Sequence, residues 1–111
     1  MAREIDAEGL EAAGEVQLVD VRTQEERDAG RIPSDTAHIP FDELLSRAGE
    51  LDKDRTIVFY CRLGERSAAA ADAFAASGYD ASSLAGGIVA WEESGRSVEG
   101  EIGQPSGLPP K

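Results

Sequence analysis

Cysteine, histidine, tryptophan and methionine each occur once in this 111-residue chain, and lysine occurs only at Lys53 and Lys111. A lone cysteine cannot close an internal disulfide, and Cys61 with His38 cannot supply a zinc site unaided. No apolar run approaches the roughly 20 residues a membrane-spanning helix requires. The first residues, Met1-Ala2-Arg3-Glu4-Ile5-Asp6, hold no apolar stretch of the signal-peptide kind, so a cytoplasmic protein is expected. Positive charge is scarce: 11 basic against 22 acidic residues give a formal charge of -11. The average surface therefore repels phosphate backbones and anionic lipid, which argues against nucleic acid and membrane surfaces as partners. Charge alone leaves open whether the acidic surface reflects a salt-rich cytoplasm or a docking partner. The Asp52-Lys53-Asp54 stretch lacks the glycine and the later glutamate of a calcium loop. The remaining carboxylates are too many to single out a catalytic pair and read as a solvated surface. No metal or cofactor is expected, and the length suits one domain with one core.

What is present is an alternation of short apolar runs with helix-like segments, the pattern of an α/β domain with a largely parallel sheet. Arg3 to Ile5 reads as an edge strand, and Asp6 as the N-cap of a helix through Ala13 that Gly14 ends. Gln17 to Arg22 is a strand, and Thr23 with Glu26 has the spacing of a capping box for a helix ending near Gly30. Pro33, Ser34-Asp35 and Pro40 mark a loop with a brief strand at Ala37-His38-Ile39. Phe41, Leu44, Leu45 and Ala48 recur at helical spacing, which predicts a helix over 41–51 with one buried face. Thr56 to Tyr60 is almost continuously apolar, as expected of a central strand buried on both faces. An alanine-rich helix anchored by Phe74 follows, then a strand at Ala81 to Ala85, a Gly86-Gly87 turn, and a helix from Ile88 to Ser94 that places Trp91 in the core. From Gly100 onward the chain is rich in glycine and proline without periodicity, which predicts a disordered tail.

The chemistry concentrates in Cys61-Arg62-Leu63-Gly64-Glu65-Arg66-Ser67, set between the central strand and the alanine-rich helix. A strand-to-helix loop turns its backbone N–H groups inward, and the positive end of the helix points the same way. A thiol at the start of such a loop, with guanidinium groups at Arg62 and Arg66 close by, is favoured as thiolate. A lone cysteine is more often a small buried hydrophobe, but this setting reverses the expectation. His38, on its strand away from the loop, is assigned a structural role. Asp20 and Arg22, at the end of their strand, are expected to tie loops together by ion pairing and hydrogen bonds.

Four stretches, in order, resemble the single-domain rhodaneses: Val19-Asp20-Val21-Arg22, Gly30-Arg31-Ile32-Pro33 leading to Ala37-His38-Ile39-Pro40, the loop Cys61-x-x-Gly64-x-Arg66-Ser67, and Gly86-Gly87-Ile88-Val89-Ala90-Trp91. The resemblance implies a three-layer α/β/α domain over residues 1–99 and a tail over 100–111. It implies a five-stranded, mainly parallel sheet in the order 1-5-4-2-3, with the catalytic loop after the fourth strand. The implied activity is sulfur transfer: Cys61 takes the outer sulfur of thiosulfate or a persulfide and passes it to a thiophilic acceptor, such as cyanide, a thiol or a sulfur-carrier protein, in a ping-pong cycle. A desulfurase is then a candidate donor. In that reading the N–H groups of loop residues Arg62 to Ser67 hold the anionic sulfur, and Arg66 with Arg62 holds the oxygens of a small anionic donor. Gly64 permits the turn, Ser67 caps the following helix with its hydroxyl also near the persulfide, and Asp20, Arg22, Gly86 and Gly87 support the loop.

The sequence departs from the resemblance at Arg31, where many members carry His, and at Ser34-Asp35-Thr36 in place of a compact Gly-Ala turn. Two other readings use the same loop. A non-catalytic binding module would leave Cys61 incidental. A cysteine-dependent phosphatase or arsenate reductase would use the same thiolate, but such loops are C-x5-R, whereas this one is C-x4-R with Glu65 inside it.

Overall fold

The computed structural model describes residues 3–102. Seven strands and four α-helices follow one another there: β1 (Glu4–Ile5), α1 (Ala7–Ala13), β2 (Gln17–Asp20), α2 (Gln24–Ala29), β3 (Gly30–Arg31), β4 (Ala37–His38), β5 (Ile57–Tyr60), α3 (Glu65–Ala76), β6 (Ala81–Leu84), α4 (Gly87–Glu93) and β7 (Glu99–Gly100). Five of them form one sheet in the order β1-β6-β5-β2-β4, every neighbouring pair parallel. Numbered within that sheet alone, the order is 1-5-4-2-3, and the loop carrying Cys61 follows the fourth strand.

The alternation of side chains along β5 builds the two halves of the core. Ile57 and Phe59 face one side with Val19, Val21, Leu44, Ala71 and Phe74. Val58 and Tyr60 face the other with Leu10, Leu18, Ile32, Leu84, Ile88 and Trp91. All four β5 residues are buried, which explains a run without polar alternation. On the first side, α3 buries Ser67, Ala70, Ala71 and Phe74, spaced as one helical stripe. Its alanines let it lie close to the sheet, and the Phe74 ring meets Phe59 and Tyr79 edge-on at 5.0 and 4.9 Å. Helices α1 and α4 cover the second side. The domain therefore has three layers.

Helix entry follows the expected caps. The Asp6 carboxylate accepts the Gly9 N–H at 2.7 Å at the head of α1. At α2, Thr23 Oγ1 accepts the Glu26 N–H at 3.2 Å while Glu26 Oε1 accepts the Thr23 N–H at 3.1 Å.

Two expectations are corrected. Residues 41–51 form two short 3-10 turns, Phe41–Glu43 and Ala48–Glu50, rather than one helix. Of the supposed buried face, Leu44 is buried, Phe41 is 41% exposed and Leu45 is 83% exposed. Pro40 offers no side-chain acceptor at the start, and Arg47 departs from helical backbone at φ -113 and ψ 13. Apolar spacing alone could not hold a helix through those positions. The expected tail from Gly100 also starts too early. Gly100 pairs with Gly30 and Glu99 with Arg31 in a small antiparallel β3-β7 sheet, and Ile102 is buried against the second core half. Residues 103–111 of that expected tail lie outside the described residues.

Candidate active site

Strand β5 delivers Cys61 to the carboxyl edge of the sheet, where it is 1% exposed. Gly64, at φ +112, reverses the chain so that α3 begins at Glu65. The turn aims the Gly64 N–H at Cys61 Sγ at 3.1 Å and the Ser67 N–H at 3.5 Å, with Ser67 Oγ at 3.4 Å from the same sulfur. The carbonyls of Cys61 and Arg62 point the other way and accept the N–H groups of Ile88 and Val89 at 2.9 and 3.2 Å. The loop is thus sorted, with acceptors bound to α4 and donors gathered on the sulfur. This satisfies the first donors of α4 and leaves the sulfur in a cradle suited to negative charge.

That sorting depends on Gly87. At φ +64 it sits so close to the loop that an added Cβ would stand 2.3 Å from the Arg62 carbonyl oxygen and 2.5 Å from that of Cys61. Gly64 in turn packs towards Gly86, with its Cβ position 3.5 Å from the Gly86 nitrogen. Gly87→Ala is expected to lower stability by about 2–4 kcal/mol, combining left-handed strain with a clash against backbone that cannot rotate away. Urea unfolding measures it; an unchanged midpoint would show that α4 does not pin the loop.

Ser67 is not the helix cap expected of it. The cap position is Gly64, without a side-chain bond, and Ser67 lies on the buried stripe of α3. Its hydroxyl sits 2.7 Å from Ser83 Oγ and 3.3 Å from the Gly64 carbonyl oxygen. The left-handed turn at Gly64 starts the helix earlier than the alanine run implies. The spacing of Ser67 from Ala70, Ala71 and Phe74 was the signal for its inward position.

The remaining loop side chains form the rim. Leu63 is 46% exposed, and Glu65 is exposed. Arg62 Nη1 donates to the Ile102 carbonyl at 3.3 Å and lines a cavity of about 230 Å³ with Arg22, Glu25, Glu26, Ala29 and Ile102. Arg66 forks onto Glu26, Nη1 to Oε1 at 2.7 Å and Nη2 to Oε2 at 3.0 Å. The Arg66 bond, helped by the Thr23 N–H, holds the Glu26 carboxyl down at about 2, so the pair is ionised near neutral pH. Sequence reasoning gave Glu26 a capping role only. Its second partner lies 40 positions away, where local spacing carries no signal.

Below the rim lies a buried polar network. Asp20, wholly buried, accepts Arg22 Nε and Nη2 at 2.8 Å each and the Arg22 N–H at 3.0 Å. Arg22, 2% exposed, also donates to the Gly30 carbonyl at 2.6 Å and lies over the Tyr60 ring at 5.4 Å. Arg27 bridges Asp20 and Asp35 at 3.2 and 2.8 Å. Tyr60 donates to Asp35 at 2.8 Å while accepting the Ile32 N–H at 3.2 Å, and burial beside the Asp20 carboxylate pushes its phenol well above the ordinary value. Arg31 reaches Asp35 at 2.8 Å and Glu99 at 2.9 Å. Asp20 and Arg22 therefore tie together β2, α2 and the start of β3. Arg27, Asp35 and Tyr60, which complete the network, were not singled out from sequence. His38 Nε2 contacts the Arg22 carbonyl oxygen at 2.7 Å, which fastens β4 to the same strand end.

A parallel three-layer domain that seats one thiol in an N–H-lined loop at its carboxyl edge defines a class of cysteine-centred α/β proteins. The chain belongs to the Rhodanese-like domain family, whose profile matches residues 6–94. A sulfurtransferase of Allochromatium vinosum is 40% identical over 100 residues, covering 86% of this chain and 92% of that protein. The protein YtwF of Bacillus subtilis is 38% identical over 85 residues, covering 77% and 82%. Among solved structures, a rhodanese-related protein from Thermoplasma volcanium superposes with a TM-score of 0.81 at 33% identity, covering 89% of this chain and 99% of that one. Family and relatives place the chain among the sulfurtransferases.

Proposed function

We propose that Cys61 carries a sulfane sulfur from thiosulfate or a persulfide donor to a thiophilic acceptor such as cyanide, a thiol or a sulfur-carrier protein. The Cys61 thiolate attacks the outer sulfur of the donor. A new S–S bond forms on Cys61, the donor's own bond to that sulfur breaks, and sulfite or a thiolate leaves with the electron pair. The acceptor then attacks the terminal sulfur of the persulfide, and Cys61 departs as thiolate, ready for the next turnover. The observation that carries this reading is the convergence of the Gly64 and Ser67 N–H groups on Sγ at 3.1 and 3.5 Å, which suits an anionic sulfur before and after loading. The setting is taken to be cytoplasmic, with a small anionic sulfur compound or a desulfurase as donor.

Intact-mass spectrometry tests it. Protein incubated with thiosulfate or glutathione persulfide is expected to gain one sulfur atom and lose it to cyanide as thiocyanate; prior alkylation of Cys61 blocks the gain. Failure to take up sulfur from either donor overturns the reading.

A further inference from the structure

The loop of a sulfur-transfer site that takes thiosulfate must receive a dianion, yet here one of the loop's two guanidinium groups, that of Arg66, is already occupied. Both terminal nitrogens of Arg66 are engaged by the two oxygens of Glu26, the fork geometry that a sulfonate group would otherwise take. Glu26 is no mobile surface carboxylate: its Oε1 also accepts the Thr23 N–H at 3.1 Å and the Thr23 hydroxyl at 3.3 Å, which fixes it to the head of α2. Its carboxyl, held at about 2, does not release Arg66 by protonation near neutral pH. The rim adds to the effect. The cavity beside it sets Glu25 and Glu26 against Arg62 and Arg22, and Arg22 is already paired with buried Asp20, so the opening offers a dianion no net positive charge inside a chain of net charge -11. Apolar surface is available at exposed Leu63 and, along the cavity wall, at Ala29.

We infer that Glu26 is a specificity-determining residue that, by occupying Arg66, turns the site away from thiosulfate and towards organic persulfides, R–S–SH. The inference rests on the sulfur-transfer reading above and narrows its donor. An organic persulfide brings no sulfonate to be matched by Arg66, and its R group finds the apolar wall. The step balances without another reactant. The Cys61 thiolate attacks the terminal sulfur, the bond between the donor's two sulfurs breaks, R–S⁻ leaves with the electron pair, and the terminal sulfur keeps its proton on the new Cys61 persulfide.

The test compares kcat/KM for glutathione persulfide and for thiosulfate, with cyanide as common acceptor, in the wild type and in Glu26→Gln. Glutamine at this helix position serves the same capping box, so the variant removes charge and keeps the cap. The wild type is expected to use glutathione persulfide at least about tenfold better than thiosulfate. In Glu26→Gln, thiosulfate use is expected to rise about tenfold through KM, with kcat within about twofold and glutathione persulfide use within about threefold. A role in structure alone would instead lower both donors together through kcat. Preference of the wild type for thiosulfate, or a Glu26→Gln change equal for the two donors, overturns the inference; the wild-type comparison stands however the variant folds. If neither donor loads Cys61, the sulfur-transfer reading itself has failed, and that result is distinct from a wrong donor preference.

Discussion

Cys61→Ser is expected to lower sulfur transfer by at least about three orders of magnitude while leaving a folded domain. A serine hydroxyl keeps its proton near neutral pH and cannot form the S–S bond on which the cycle depends. The Gly64 and Ser67 N–H groups that aim at Sγ would remain in place with no anionic sulfur to hold. The fold should tolerate the exchange. Serine is close to cysteine in size, and the same N–H groups and the Ser67 hydroxyl offer partners to its oxygen, so a stability change of no more than about 1–2 kcal/mol is expected. Thiocyanate release measures the first part and urea unfolding the second. Turnover within about tenfold of the wild type would remove Cys61 from the chemistry.

The second large effect is on stability. Arg22→Met would strand Asp20, a carboxylate with no solvent exposure, after removing two charged contacts at 2.8 Å. Among the described residues only Arg27 at 3.2 Å and the backbone N–H at position 22 would still serve it, and the Gly30 carbonyl would lose its 2.6 Å donor. Breaking a buried pair from one side costs about 3–5 kcal/mol, a large part of the roughly 5–15 kcal/mol that holds a domain together. The double variant Asp20→Asn/Arg22→Met should recover part of that loss, because an amide is cheaper to bury than an unpaired charge. Chemical denaturation of both variants decides the matter. A cost below about 1 kcal/mol for the single variant would mean that the network is incidental to the fold.

The fold was legible where a signal is local. Asp6, the Thr23–Glu26 box and the unbroken apolar run of β5 each announce their element within a few residues. The loop was legible for the same reason: Cys61 stands directly between a strand and a helix. What failed were patterns that needed confirmation from the rest of the molecule. Leu45 fits a helical stripe but has no surface to bury against, so the stripe over 41–51 stays unformed. Ser67 has the residue type of a cap, whereas the helix is started by the backbone turn at Gly64. The β3-β7 pairing and the engagement of Arg66 by Glu26 join residues some 40 to 70 positions apart, and no local periodicity reports such partners.

The sheet order also sets a timetable for the growing chain. Glu4 in β1 must find Ser83 in β6, a separation of 79 positions, so the first strand to be synthesised waits unpaired until nearly the whole domain exists. Cys61 emerges midway, but its carbonyl is held by the Ile88 N–H and that of Arg62 by the Val89 N–H. A nascent chain therefore carries the thiol for almost thirty residues before the segment that pins its loop is made.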